Sequence, residues 1–335
     1  MIGLAACSEP DPVPGQAPWQ TRAALPDGRI RLEASATGLG SRLVVIGGFS
    51  TAAPALEITR EMLVYDPFTD TWSVSPIEAP AAFTHAALAS VGGTLYMLGG
   101  LEGTVFAPSG KTYRLRPQAM AWEDEEIADI PAGYERGAAA VVVSAGHIFL
   151  LGGDTSLGFT DTILDYAIAT NTWSEYPTKL PTPRSHAAAM RDETGMFVIA
   201  GGNGPQGPLG DTYALRLNET MWELRATMNT PRGGCAYGFV YGSLVCAGGE
   251  IGTVVSRAVE AYDPTEATNE WEIMPDLPYD RAGAPGAIVT SRLYVVGGSQ
   301  TKAFEPTNTL YEFDLLDTLR LPVIRDHRDT DAVWR

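Results

Sequence analysis

Lysine is nearly absent from this chain: three of 335 residues, against 20 arginines and 40 acidic residues, for a formal net charge of −17. Such acidity repels phosphate backbones and anionic lipid, which excludes nucleic acid and charged membrane surfaces as partners. No run approaches the roughly 18 apolar residues of a membrane-spanning helix, so a lipid anchor is the single membrane attachment left open. No GxSxG, P-loop, HExxH or CxxC pattern occurs, which removes the common signatures of serine hydrolases, nucleotide binders and zinc sites. The glycine-rich segment Gly201–Asp211 joins strand to strand, not strand to helix, and so is no phosphate cradle. Cysteine is scarce too: Cys7, Cys235 and Cys246. With a turn at Gly242-Ser243, Cys246 faces Phe239 and Cys235 lies about 13 Å further along the strand, too far for a disulfide. Both are expected to be buried thiols, and cysteine usage leaves the compartment open.

What is present is a six-fold repeat. An apolar run ending in a glycine pair recurs at Gly47, Gly99, Gly152, Gly201, Gly248 and Gly297, with steps of 52, 53, 49, 47 and 49 residues. A period near 50 marks an architecture in which each unit is one supersecondary block. In phase with it runs a tyrosine followed by a tryptophan: Tyr65/Trp72, Tyr113/Trp122, Tyr166/Trp173, Tyr213/Trp222 and Tyr262/Trp271. Each unit reads as four short strands separated by Gly, Asn, Asp and Pro, an antiparallel meander. The second strand is apolar on both faces, so it belongs between neighbouring sheets. The sixth unit has Tyr311 but no tryptophan after it. Trp19 opens WQTRAALPDGR, which parallels WEIMPDLPYDR from Trp271 to Arg281. The N-terminal segment therefore supplies the outer strand of the last unit and closes the ring without a free sheet edge.

The glycine pair, the spaced Tyr and Trp, and turns such as YDPFTDTW (Tyr65–Trp72) resemble the kelch repeat. The resemblance covers about residues 19–316 and implies an all-β fold, a six-bladed kelch β-propeller with Trp19 completing the last blade. The expected organisation is a tether at 1–18, the propeller at 19–319 and a tail at 320–335. Leu4-Ala5-Ala6-Cys7 matches a bacterial lipobox, with Cys7 the lipidated residue and a Pro-rich spacer after it. Only Met1–Leu4 precede the small residues, shorter than a signal peptide requires, so either the start lies upstream or the match is chance. The expected location is the bacterial cell envelope, with the cytoplasm as the alternative.

Propellers of this kind hold ligands at the mouth of the central channel. The loops entering the first strands carry Arg29, Arg136, Arg184, Arg232 and Arg281, with Phe83 in the equivalent place of the second unit. Glu102, Asp154, Asn203 and Glu250 follow the glycine pairs, directly or nearly so. Guanidinium forks bind carboxylates and phosphates, so an arginine ring suits an anionic ligand. The same arginines could equally pair with Asp154 or Glu250 and hold the blades together. His85 and His186 share one repeat position two blades apart, a separation of about 120° that places them too far apart for one metal ion. No metal and no cofactor are expected. Galactose oxidase carries kelch repeats around a copper held by two Tyr and two His, with one Tyr cross-linked to Cys. No such cluster is placed here. N-acetylneuraminate epimerase, a six-bladed kelch protein, is the closer enzymatic resemblance, without its long insertions. Two functions are therefore carried forward. One is a non-enzymatic, monomeric propeller that binds a protein or an anionic small molecule through the arginine-rich mouth. The other is an epimerase- or mutarotase-like enzyme acting on an anionic sugar such as a sialic acid.

Overall fold

The apolar runs ahead of the glycine pairs form the second strands of six antiparallel blades. The computed structural model describes residues 19–52, 55–192, 194–216 and 219–315. Blade one comprises Ser35–Leu39, Arg42–Ile46, Met62–Asp66 and Thr71–Val74. Blade two comprises Ala87–Val91, Thr94–Leu98 and Thr112–Leu115, its fourth strand reduced to a bridge between Arg114 and Glu123. Blade three runs Ala140–Ser144, His147–Leu151, Ile163–Ala167 and Thr172–Glu175, and blade four Ala188–Arg191, Phe197–Ala200, Thr212–Leu215 and Glu223–Leu224. Blade five is Ala236–Val240, Ser243–Ala247, Val259–Tyr262 and Trp271–Met274. Blade six is Gly286–Val289, Arg292–Val296, Leu310–Asp314 and, outermost, Trp19–Arg22. Each innermost strand touches the next, and that of blade six touches that of blade one, so the circle closes.

Two-sided apolarity of the second strands is what drives this arrangement. In blade one, Leu43 and Val45 pack toward blade six against Ala287, Tyr294 and Val296. Val44 and Ile46, on the opposite face, pack toward blade two against Leu88, Leu95 and Met97. Each such side chain, removed from water, contributes roughly 1.5–3 kcal/mol. The tryptophans then staple blade to blade through the indole N–H. Trp72 donates to the Ala23 carbonyl, Trp173 to Ala128 and Trp222 to Lys179, each at 2.8 Å, and Trp19 to Pro275 at 2.9 Å.

Trp19 lies opposite Phe313, with ring centroids 4.7 Å apart, as Tyr65 lies opposite Trp72 and Tyr262 opposite Trp271. The ring is thus closed by Trp19 as expected, but Phe313, not Tyr311, stands in the tyrosine position of blade six. The tether with Cys7 and the segment 320–335 lie outside the described residues.

The cysteines require a correction. Tyr241 and Gly242 both have positive φ (49° and 84°) and form the two-residue turn, so Cys246 pairs with Tyr237 and not with Phe239. That register shift of two residues brings Cys235 close, with a Cα–Cα distance of 5.6 Å, and the two are joined in a disulfide.

Candidate functional site

The glycine pairs fasten each blade to the following one and thereby set the geometry of the mouth. The second glycine of each pair donates its N–H to a carbonyl at the entry of the next blade. Gly48 donates to Phe83, Gly100 to Arg136, Gly153 to Arg184, Gly202 to Arg232, Gly249 to Arg281 and Gly298 to Arg31, at 2.7–2.9 Å. A Cβ at Gly201 (φ 61°) would lie 2.7 Å from the Arg232 carbonyl oxygen, so no other residue fits this clasp. Phe83 indeed replaces arginine in blade two. In blade one, however, the clasp selects Arg31, not Arg29. The short 3-10 turn Pro26–Gly28 lengthens that loop and moves the register by two.

Two residues beyond each clasp residue the chain turns through left-handed backbone. Glu33, His85, Ala138, His186, Gly234 and Gly283 have φ between 52° and 67°. Glycine takes this conformation freely; Glu, His and Ala do so at a cost of about 1–2 kcal/mol each. The six residues form a collar around the channel, tied by backbone hydrogen bonds. His85 N–H donates to Glu33, Ala138 to His85, His186 to Ala138, Gly234 to His186 and Glu33 to Gly283, at 2.8–3.1 Å.

The collar separates two cavities. Below it lies a channel of about 620 Å³ walled largely by small side chains of the inner strands and of the residues just before them, among them Ala36, Ala89, Ala139 and Ala187. Above it lies a mouth chamber of about 410 Å³. Its walls include Asp154, Asn203, Glu250, Lys302, Phe106 and Phe304, and its floor is Glu33, His85 and His186. Lys302 is ion-paired with Glu250.

The expected site residues are thus partly assembled. His85, His186, Asp154, Asn203 and Glu250 converge on the chamber. Glu102 is exposed and outside the chamber lining. The arginine ring is not at the mouth at all: Arg31, Arg136, Arg184, Arg232 and Arg281 are fully buried in the blade walls. Arg184 makes a two-pronged contact with Asp211 at 3.0 Å and caps the Gly201 carbonyl at 2.9 Å. Arg136 serves the Gly152 and Thr162 carbonyls and the Thr162 hydroxyl. Arg232 is bound to Glu260 and to the Cys246 carbonyl. Arg281 donates to the Thr309 and Tyr311 hydroxyls at 3.1 and 3.0 Å. Arg29 is half-buried and paired with Glu61 and Asp27. Their partners are groups of the blade walls, not Asp154 or Glu250.

The two histidines, expected to be far apart, meet edge to face with ring centroids 5.0 Å apart. Collar residues of so narrow a ring point at the axis, so a two-blade separation does not keep them apart. Glu33 joins them, its Oε2 3.0 Å from His85 Nε2. His186 Nδ1 is hydrogen-bonded to Ser185 Oγ at 2.8 Å, with Asp154 Oδ2 at 3.8 Å. Burial alone would raise the Glu33 carboxyl, but the neighbouring His85 outweighs it and holds the group near 2. Burial pushes His85 down, and the Glu33 charge and hydrogen bond more than reverse this. His186 is lowered by burial and by the charge of His85.

Sequence reasoning missed Glu33 for one reason. Aligning Arg29 with the other arginines hides that Arg31-Leu32-Glu33 is in register with Arg184-Ser185-His186 and Phe83-Thr84-His85.

Residues 147–320 match the family model described as the KLHDC2/KLHL20/DRC7 Kelch-repeats domain. The chain belongs to the kelch-repeat family. Among kelch relatives, Kelch-like protein terF of Aspergillus terreus is 30% identical over 317 residues, covering 86% of this chain and 65% of that protein. Human Kelch-like protein 34 is 24% identical over 277 residues, 77% of this chain and 42% of its own length. Rat Kelch domain-containing protein 10 is 28% identical over 208 residues, 57% of this chain and 49% of its own length. The chain therefore spans less than two thirds of each of these kelch proteins.

Proposed function

We propose that this kelch propeller docks a protein partner on the face that carries the mouth chamber. One observation carries the reading: a crown of exposed apolar side chains on the short hairpins around the chamber. Leu157 is 97% exposed, Val105 83% and Val254 58%, contributed by blades three, two and five. Phe106, Phe159, Ile251 and Phe304 are partly exposed beside them. Clustered apolar surface rimmed by polar groups is a mark of protein-binding faces. Family membership supports the same class of function. A protruding partner side chain would enter the chamber, where Asp154, Asn203 and Glu250 offer hydrogen-bond acceptors. Among the described residues the chamber lining contains no arginine, so the anionic-ligand reading loses the feature that motivated it. The Cys235–Cys246 disulfide supports an oxidising compartment such as the bacterial cell envelope.

The test is peptide display against the immobilised full chain and against a Val105→Asp/Leu157→Asp/Val254→Asp variant. Peptides enriched on the native chain should lose at least about tenfold in affinity on the variant. Equal binding to both, or no enrichment on the native chain, contradicts docking on the crown.

A further inference from the structure

Three features of the collar are not explained by partner docking. First, three side chains from blades one, two and four offer a carboxylate and two imidazoles whose ligand atoms all lie within 4.8 Å of one another. A metal bound at about 2.1 Å by N and O donors sets neighbouring donors roughly 3–3.5 Å apart. The distance of 3.0 Å between Glu33 Oε2 and His85 Nε2 already satisfies this, and the His186 donor lies within 4.8 Å of both. Second, His85 Nδ1 is buried without a hydrogen-bond partner, on a side chain only 9% exposed. With Nε2 facing Glu33, the orphaned Nδ1 marks a strained collar and not a donor atom; a Glu–His pair kept for stability would need one histidine and no such orphan. Third, these side chains sit on left-handed backbone that the same repeat elsewhere gives to Gly234 and Gly283. Strained positions held by functional side chains are where a site is expected.

We propose that Glu33, His85 and His186 bind one divalent first-row transition metal ion at the floor of the mouth chamber. Two imidazoles and one carboxylate form a donor set suited to zinc or iron(II), with no thiolate to select copper(I). Ser185 Oγ, bonded to His186 Nδ1, orients that ring as outer-shell partners do. Ala138, Gly234 and Gly283 fill the other three collar positions with no side chain that could complete the shell. The remaining coordination positions therefore open to the chamber above and the channel below. The site is independent of the crown: partner docking needs Leu157 and its neighbours, and metal binding does not.

The experiment uses the full chain, stripped with a chelator and titrated with Co²⁺ by its ligand-field absorption and with Zn²⁺ by calorimetry. One equivalent should bind. Glu33→Gln, His85→Gly and His186→Gly should each weaken binding at least about tenfold, and Ser185→Ala by about tenfold. The glycine variants place at the collar the residue already found in blades five and six, so they should fold. His147→Ala, removing a partly exposed histidine paired with Asp165 at 2.7 Å, should bind as the native chain does. The proposal is overturned if the native chain takes up no ion at micromolar concentration. It is equally overturned if the collar variants keep their affinity, or if His147→Ala abolishes binding. The crown variant keeps its metal equivalent if the two sites are separate, so either reading can fail alone.

Discussion

Two rings of side chains lie two residues apart along the same repeat, and they serve opposite purposes. The clasp ring of Arg31, Arg136, Arg184, Arg232 and Arg281 faces into the walls and satisfies carbonyls and carboxylates there. The collar ring of Glu33, His85, Ala138, His186, Gly234 and Gly283 faces the axis on strained backbone. The clasp keeps nearly the same residue in every blade because every blade needs the same contact. The collar varies from blade to blade, and only where it carries Glu or His does a cluster form. In a repeat protein, a polar residue present in every unit reads as architecture. A polar residue present in a subset of units, at a position that others fill with glycine, reads as a site.

The comparison breaks most visibly at the clasp. Arg232→Ala leaves Glu260 as an unpaired charge in the wall, and removal of one partner of a buried pair costs about 3–5 kcal/mol. Denaturant unfolding should show that loss; a loss under about 1 kcal/mol would mean that the arginine is dispensable to the wall.

Blade one sharpens the assignment. Arg31→Ala should cost about 3 kcal/mol, since it removes a buried partner of Glu61 and an internal hydrogen bond to the Ile30 carbonyl. Arg29→Ala, at a half-exposed pair, should cost about 1 kcal/mol or less. Reversal of that order would restore Arg29 to the clasp.

At the collar the sign changes. His186→Gly in metal-free protein should raise stability by about 1 kcal/mol or leave it level, because glycine relieves the left-handed backbone. A loss above about 2 kcal/mol would make this histidine a part of the architecture.

The smallest effect is in pH. The folded state lowers Glu33 from the ordinary 4.5 to about 2, so its contribution is full above 4.5 and fades as pH falls toward 2. The folded state raises His85 above the ordinary 6.5, so its contribution is full below 6.5 and fades as pH rises through the raised value. The metal-free ring should therefore melt highest between about pH 4.5 and 6.5, and His85→Gly should flatten both flanks. Unchanged flanks in that variant would uncouple the pair from folding.

The fold was legible because six copies of a glycine pair and five Tyr–Trp pairs repeat one message, and because Trp19 repeats the context of Trp271. The site was legible only in pieces. His85, His186, Asp154, Asn203 and Glu250 could be read from their repeat positions, since the loops after the glycine pairs and those entering the first strands must surround the mouth. Glu33 was hidden by an insertion of two residues, which put Arg29 where Arg31 belongs. The meeting of His85 with His186 depends on the radius of the collar, set by backbone hydrogen bonds between blades that no local pattern carries. The Cys235–Cys246 bond was lost to a turn placed one residue late, which shifts the pairing of a strand by two residues and moves every contact made along it.

Thermal unfolding of Arg232→Ala and His186→Gly, side by side with the native chain and each with and without Zn²⁺, tests the division between the two rings most directly. Without metal, Arg232→Ala should melt roughly 6–15 °C below the native chain while His186→Gly melts within a few degrees of it. Zinc should raise the melting temperature of the native chain and leave that of His186→Gly unchanged. If His186→Gly melts as low as Arg232→Ala, or keeps the full zinc-induced rise, the collar is not a site built on a wall that stands without it.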